Sequence, residues 1–141
     1  MKKLLFTHVI VLLTLLFPKS VFAYNHSEVA PSGQTLYYTI ATSGAIVVYP
    51  GTGILNMWTG FEKPTGTLVI PDSILYNGVK YPVVSIGQFA FNRCNGLTSV
   101  VLPITVKTLG DNAFSKCNNL CSISLQGSPR SIGHSVFEYD S

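Results

Sequence analysis

Charge is scarce in this sequence: Asp, Glu, Lys and Arg make up only 11% of its 141 residues. The small supply is also uneven. Lys2, Lys3 and Lys19 are three of the nine basic residues, so the chain beyond residue 23 holds six basic against six acidic groups. The formal net charge of +3 therefore belongs to the N-terminal stretch. A balanced remainder offers no basic field for nucleic acid or for an anionic lipid surface.

Long apolar runs are missing too. The longest, residues 4–17, covers 14 positions and is broken by Thr7, His8 and Thr14, whereas a membrane-crossing helix needs about 20. Lys2 and Lys3 precede the run, and residues 18–23 follow it with Val21 and Ala23 at the small-residue positions before a cleavage point. That is the layout of a secretory signal peptide, which predicts export, removal of residues 1–23 and no membrane insertion afterwards. Tyr24 follows the cleavage point, where a lipid anchor would require Cys.

Catalytic and cofactor signatures are absent as well. The carboxylates Glu28, Glu62, Asp72, Asp111, Glu138 and Asp140 are scattered apart from the last two. No phosphate-cradling glycine loop, dinucleotide fingerprint or H-E-x-x-H stretch occurs, so no cofactor is expected. Cys117-x-x-x-Cys121 lacks a second pair or a His cluster to complete four metal ligands. His26 falls in a segment read as a flexible tail, within the sequon Asn25-His26-Ser27. His134 would need one of Cys94, Cys117 or Cys121 beside it, plus an orienting group, to act as a base. A small secreted hydrolase is accordingly the weakest of the functional readings.

What the sequence does contain is repetition. SIGQFAFNRCNGLTSVVLP at residues 85–103 returns as TLGDNAFSKCNNLCSISLQ at residues 108–126. Gly87/Gly110, Ala90/Ala113, Phe91/Phe114, Cys94/Cys117, Asn95/Asn118, Leu97/Leu120, Ser99/Ser122 and Leu102/Leu125 all stand 23 apart. Ser131, Ile132, Gly133, Val136 and Phe137 open a third copy at the same step. A period in the twenties marks a solenoid, in which each copy buries its apolar face only against its neighbours.

Each unit reads as one strand and one short helical turn. Val100 and Leu102 share a strand face, as do Ile123 and Leu125, because strand side chains alternate. Gly110 to Phe114 reads as a capped turn of helix carrying Phe inward. Leu68 and Ile70 match Val100 and Leu102 at a step of 32, so nine residues are inserted, around residues 75–81. Asn77-Gly78 there is a hairpin signal. Residues 36–40 and 45–49 flank Ser43-Gly44 as another hairpin, while residues 49–53 and 58–64 read as loops. The expected architecture is a β-rich α/β solenoid of 23-residue units: residues 24–65 form a β-hairpin cap and residues 66–141 the repeats, the last incomplete.

The unit I-G-x-x-A-F-x-x-C-x-x-L-x-x-V-x-L-P closely resembles the BspA-type leucine-rich repeat, over residues 66–137. That resemblance implies an exported or surface-exposed protein, since the family occurs chiefly in anaerobic gut and oral bacteria and in some protists. Several of its members adhere to host matrix or to other cells. The chain departs from the family in being short: Asp140 stands where Cys94 and Cys117 stood, and no strand follows. Three readings of the end are open: a minimal polar cap at residues 138–141, a truncation, or an edge that pairs with another molecule.

Two candidate features follow. Cys94 and Cys117 sit on equivalent rungs about 5 Å apart, close enough for a disulfide. The alternative is a ladder of buried thiols, which the resemblance favours; Cys121 lies outside the inward pattern. Thr67, Val69, Ser99, Val101, Ser122 and Ser124 alternate with the buried strand residues and align as one exposed face where a partner would dock. The expected function is a secreted or cell-surface binding or adhesion module without catalysis. Its partner would be a protein or glycan, and the resemblance implies host matrix. A truncated or capping fragment of a longer surface protein is the alternative. Expressed with its own leader, the exported product should begin at Tyr24, as N-terminal mass analysis of the secreted protein would check; a product that keeps residues 1–23 would remove the export reading.

Overall fold

The structure, a computed structural model, describes residues 24–139 except 54 and 56. The signal-peptide reading and the place of Asp140 lie outside the described residues. The N-terminal part is an antiparallel meander of β1 (His26–Val29), β2 (Thr35–Ala41) and β3 (Gly44–Val48). Leu36, Tyr38, Ala45 and Val47 point inward and are fully buried, as the alternation of a half-buried strand requires. His26, expected in a flexible tail, instead lies in β1. It pairs with Tyr38, and its ring meets Tyr76 edge-on at 5.4 Å. The aromatic neighbours contributed by β2 and by a distant hairpin hold it there.

The meander is hydrogen-bonded into the repeats. β3 runs parallel to β6 (Val79–Ile86), with Ala45 opposite Val83 and Val47 opposite Ile86. The approach is close enough to require glycine at position 44: a Cβ there would sit 2.5 Å from the Pro82 carbonyl, on a backbone with φ of 140°.

Beyond the meander, two parallel stacks run side by side. One comprises β4 (Gly66–Val69), β7 (Leu97–Leu102) and β9 (Ser122–Leu125). The other continues from β3 through β6, β8 (Thr108–Leu109) and β10 (Ser131–Ile132). Off this path, β5 (Ser73–Tyr76) pairs antiparallel with β6 around Asn77-Gly78, both at positive φ. The second stack is invisible to pattern reading, because β8 and β10 are two residues long and show no alternation.

The expected helical turn does not form: among the described residues there is no helix. The segment from Gly87 to Leu97 is a ribbon of overlapping β-turns. Ala90, Asn92, Cys94 and Leu97 donate their N–H groups three residues back, to Gly87, Phe89, Phe91 and Cys94. The intervening N–H groups of Phe89, Phe91 and Arg93 point the other way and donate to the carbonyls of Asp111, Ala113 and Ser115 in the next copy. The next copy repeats this, Asn112, Phe114 and Lys116 donating to His134, Val136 and Glu138. A helix would direct every N–H along its own axis. Here Phe89, Arg93, Asn112, Lys116 and Ser135 adopt left-handed φ between 51° and 61°, which turns alternate groups outward. That conformation costs about 1–2 kcal/mol per residue, offset by the bonds between rungs.

Side chains follow the same order. Phe91 and Phe114 stack with centroids 5.1 Å apart and Phe114 and Phe137 at 5.9 Å, with planes within 14°. Trp58, from a segment read as loop, closes the near end by stacking on Phe91 at 6.4 Å. Burial depends on having a successor: Leu102 and Leu109 are 1% exposed, whereas their equivalents Leu125 and Ile132 are 47% and 57% exposed. Phe114→Ala removes a ring sandwiched on both faces and should cost about 3–5 kcal/mol. Phe137→Ala, with one stacked face, should cost clearly less. Urea unfolding of both variants is the check, and equal losses would mean that stacking does not order the core.

Candidate functional site

The strand stack β4-β7-β9 sets one flat face. Its register places Thr67 beside Ser99 and Ser99 beside Ser122, then Val69 beside Val101 and Val101 beside Ser124. The intervening Leu68 and Val100 point to the core and are fully buried, with Ile123 packed against it. The six residues of the face are exposed or half-buried, so the structure brings them onto one surface. The face carries no charge. Strand spacing makes it a grid of about 10 Å by 7 Å, offering hydroxyls for hydrogen bonds and valines for flat contact.

One edge of this sheet is covered. Ser32 Oγ accepts the Val69 N–H at 3.0 Å, and Gln34 Nε2 donates to the Thr65 carbonyl at 2.6 Å. The loop between β1 and β2 thus satisfies a donor on β4 that would otherwise be open. The other edge is β9, whose one neighbour among the described residues is β7.

All three cysteines are free thiols in the structure, Cys94 and Cys117 buried and Cys121 exposed. Cys117 Sγ donates to the Phe91 carbonyl at 3.0 Å, and Cys121 Sγ to Asn119 at 3.3 Å. Burial pushes the Cys94 thiol far up, with the Cys117 thiol adding to the rise and Lys63 opposing it. Burial pushes Cys117 up to about 11, against a lowering by the Cys94 backbone N–H and by Lys63. Such thiols are poor nucleophiles. His134 is exposed; its backbone N–H donates to Asp111 Oδ1 at 2.8 Å, and among the described residues no hydrogen bond joins it to a thiol. Among the described residues no group of three His, Cys, Asp or Glu gathers as a metal site.

Asn95 has a role that its recurrence at Asn118 signalled only as a match. Its side-chain oxygen accepts the Asn118 N–H at 3.2 Å, and its carbonyl accepts Asn119 Nδ2 at 2.7 Å. Trp58 and Lys63 were missed because they occur once each, outside the period.

The family model described as the BspA type leucine rich repeat region (6 copies) matches residues 73–141. Among solved structures, a leucine-rich repeat protein from Bacteroides capillosus is 28% identical with a TM-score of 0.54, over 72% of this chain and 66% of that one. A leucine rich cell surface protein from Faecalibacterium prausnitzii is 26% identical with a TM-score of 0.53, over 77% and 27%. A leucine-rich repeat protein from Bacteroides ovatus is 28% identical with a TM-score of 0.50, over 62% and 21%. The matched region thus spans 21% to 66% of these structures' own lengths. No curated protein matches the chain.

Iodoacetamide at pH 8 should label the folded chain once, at Cys121, and three times after denaturation, counted by mass spectrometry. Below the usual thiol value near 9.0 both states keep their protons and the stabilisation from the Cys117 environment is complete. Above it the unfolded thiol ionises first, so stability should fall as pH rises from about 9 to about 11. Urea midpoints across that range should fall less steeply for Cys117→Ala; matching slopes would contradict the buried-thiol account.

Proposed function

Residues 73–141 place the chain in the BspA-type leucine-rich-repeat family, and from that premise we propose that it is an exported binding module that docks a protein or glycan of a cell surface or matrix on its β4-β7-β9 face. The observation that carries this reading is the in-register, uncharged ladder of Thr67, Ser99 and Ser122 beside Val69, Val101 and Ser124. A rigid hydrogen-bonded sheet presents these groups without loss of loop entropy on binding. The printed description of the Faecalibacterium prausnitzii relative as a cell surface protein supports the location, and the leader-like residues 1–23 support export. The face does no chemistry; its part is recognition by shape and hydroxyl contacts.

Magnitudes limit what this face achieves alone. A stable interface buries about 800 Å² on each partner, and a grid of about 10 Å by 7 Å is its centre at most. Contact through this array is therefore weak for a single copy and strengthens by multivalent display.

Surface plasmon resonance of the exported chain over purified extracellular-matrix proteins and immobilised glycans tests the proposal. The double variant Ser99→Gln, Ser122→Gln keeps the face neutral but removes two central hydroxyls and roughens it. It should lower binding at least tenfold while leaving the melting temperature within a few degrees. Because the face is uncharged, raising the salt should change binding little. Binding that survives both substitutions would overturn this assignment of the docking face.

A further inference from the structure

A groove of about 510 Å³ lies on the turn side of the stack and takes no residue from β4, β7 or β9. Its walls come from the segment around Trp58 and from the same repeat positions on successive rungs, Asn92 with Ser115 and Arg93 with Lys116. Six basic residues follow residue 23, and three of them, Lys63, Arg93 and Lys116, line this groove. One acid, Glu138, shares it, and Glu62 lines the neighbouring depression. Cations one rung apart repel. Among the described residues the Arg93 guanidinium pairs with no carboxylate, and the Lys63 ammonium donates to the Arg93 carbonyl at 3.1 Å.

Neutral polar residues lie beside the cations, with little of their surface exposed. Asn92 is 6% exposed and Ser115 is 1% exposed, and both line the groove, as does Trp58, whose indole N–H is buried without a hydrogen-bond partner among the described residues. Buried polar groups are normally paired, so the unmatched Trp58 indole N–H, beside an amide and a hydroxyl in a concave wall, points to a ligand rich in hydrogen-bonding groups. Trp58 and Phe89 supply apolar wall beside them. The volume lies in the range of small-ligand sites.

We propose that this groove binds an anionic saccharide of one or two sugar rings bearing carboxylate or sulfate. Lys63, Arg93 and Lys116 hold the anionic group, Asn92 and Ser115 bond ring hydroxyls, and the ring's C–H face lies against Phe89 and Trp58. An acidic peptide would satisfy the cations equally well. Its side chains bring few hydroxyls to the Asn92 amide, the Ser115 hydroxyl and the Trp58 indole N–H, so the saccharide fits better.

Isothermal calorimetry of the exported chain tests this with tetragalacturonate, a heparin tetrasaccharide, neutral maltotetraose and tetraglutamate. One variant combines Arg93→Asn, which tolerates the left-handed backbone of that position, with Lys63→Gln; Lys80→Gln is the control outside the groove. The expected result is binding of at least one charged saccharide, weakened at least tenfold in the double variant and severalfold by higher salt, unchanged by Lys80→Gln. Whichever charged saccharide binds more tightly separates carboxylate from sulfate recognition. Maltotetraose and tetraglutamate should bind at least tenfold more weakly. Equal affinity for tetraglutamate, equal loss in Lys80→Gln, or no binding of either charged saccharide by a chain with intact thermal unfolding would overturn the proposal. The outcome is independent of the strand face, since Ser99→Gln, Ser122→Gln should leave this binding unchanged.

Discussion

Every second backbone N–H in a turn segment donates to the copy that follows it, and the rest of the structure depends on that arrangement. It demands left-handed backbone at Phe89, Arg93, Asn112 and Lys116, which excludes a helix. It fixes the offset between copies, and hence the stacking of Phe91 on Phe114 and of Phe114 on Phe137. It also makes each rung's burial a property of its neighbour, as the contrast between Leu102 and Leu125 shows. Stability in such an array is a sum of nearest-neighbour terms rather than of one central core.

The near end of the stack solves the edge problem with three devices. β3 adds to β6 in parallel, so that the hairpin β2-β3 becomes the first rung of the sheet. Trp58 lies on Phe91 and takes the place of a preceding phenylalanine. Ser32 and Gln34 cover the edge of β4 in the other sheet. These contacts come from unrelated sequence positions, and they convert an open repeat into a protected end.

The two faces of the stack differ in their physics. The strand face is flat, neutral and built from hydroxyls and valines, so contact with it is short-ranged and indifferent to salt. The turn face gathers half of the basic residues that follow residue 23 into one groove. The two proposed recognition modes would therefore be separated by ionic strength.

The 23-residue period, the inward Phe and Cys positions and the outward Ser and Thr ladder were legible from sequence, because a stacked array places identical side chains in identical surroundings; Leu125, expected to be buried like Leu102, is instead exposed, because no described strand follows β9 in its sheet. The six strand-face residues could be named for the same reason, since alternation and period together assign each a side. The turn chemistry was not legible: Gly110-Asp111-Asn112-Ala113-Phe114 suits a capped helix locally, and only bonds to the next copy favour the ribbon. Nor were β8 and β10, too short to show a pattern, or His26, which its distant neighbours hold in a strand. The sequence by itself determined the repeat, its register and its core, because those rest on periodic burial. Tertiary structure alone decided the turn conformation, the seat of Trp58 and the gathering of Lys63 with Arg93 and Lys116, because each depends on contacts between segments that no local pattern encodes.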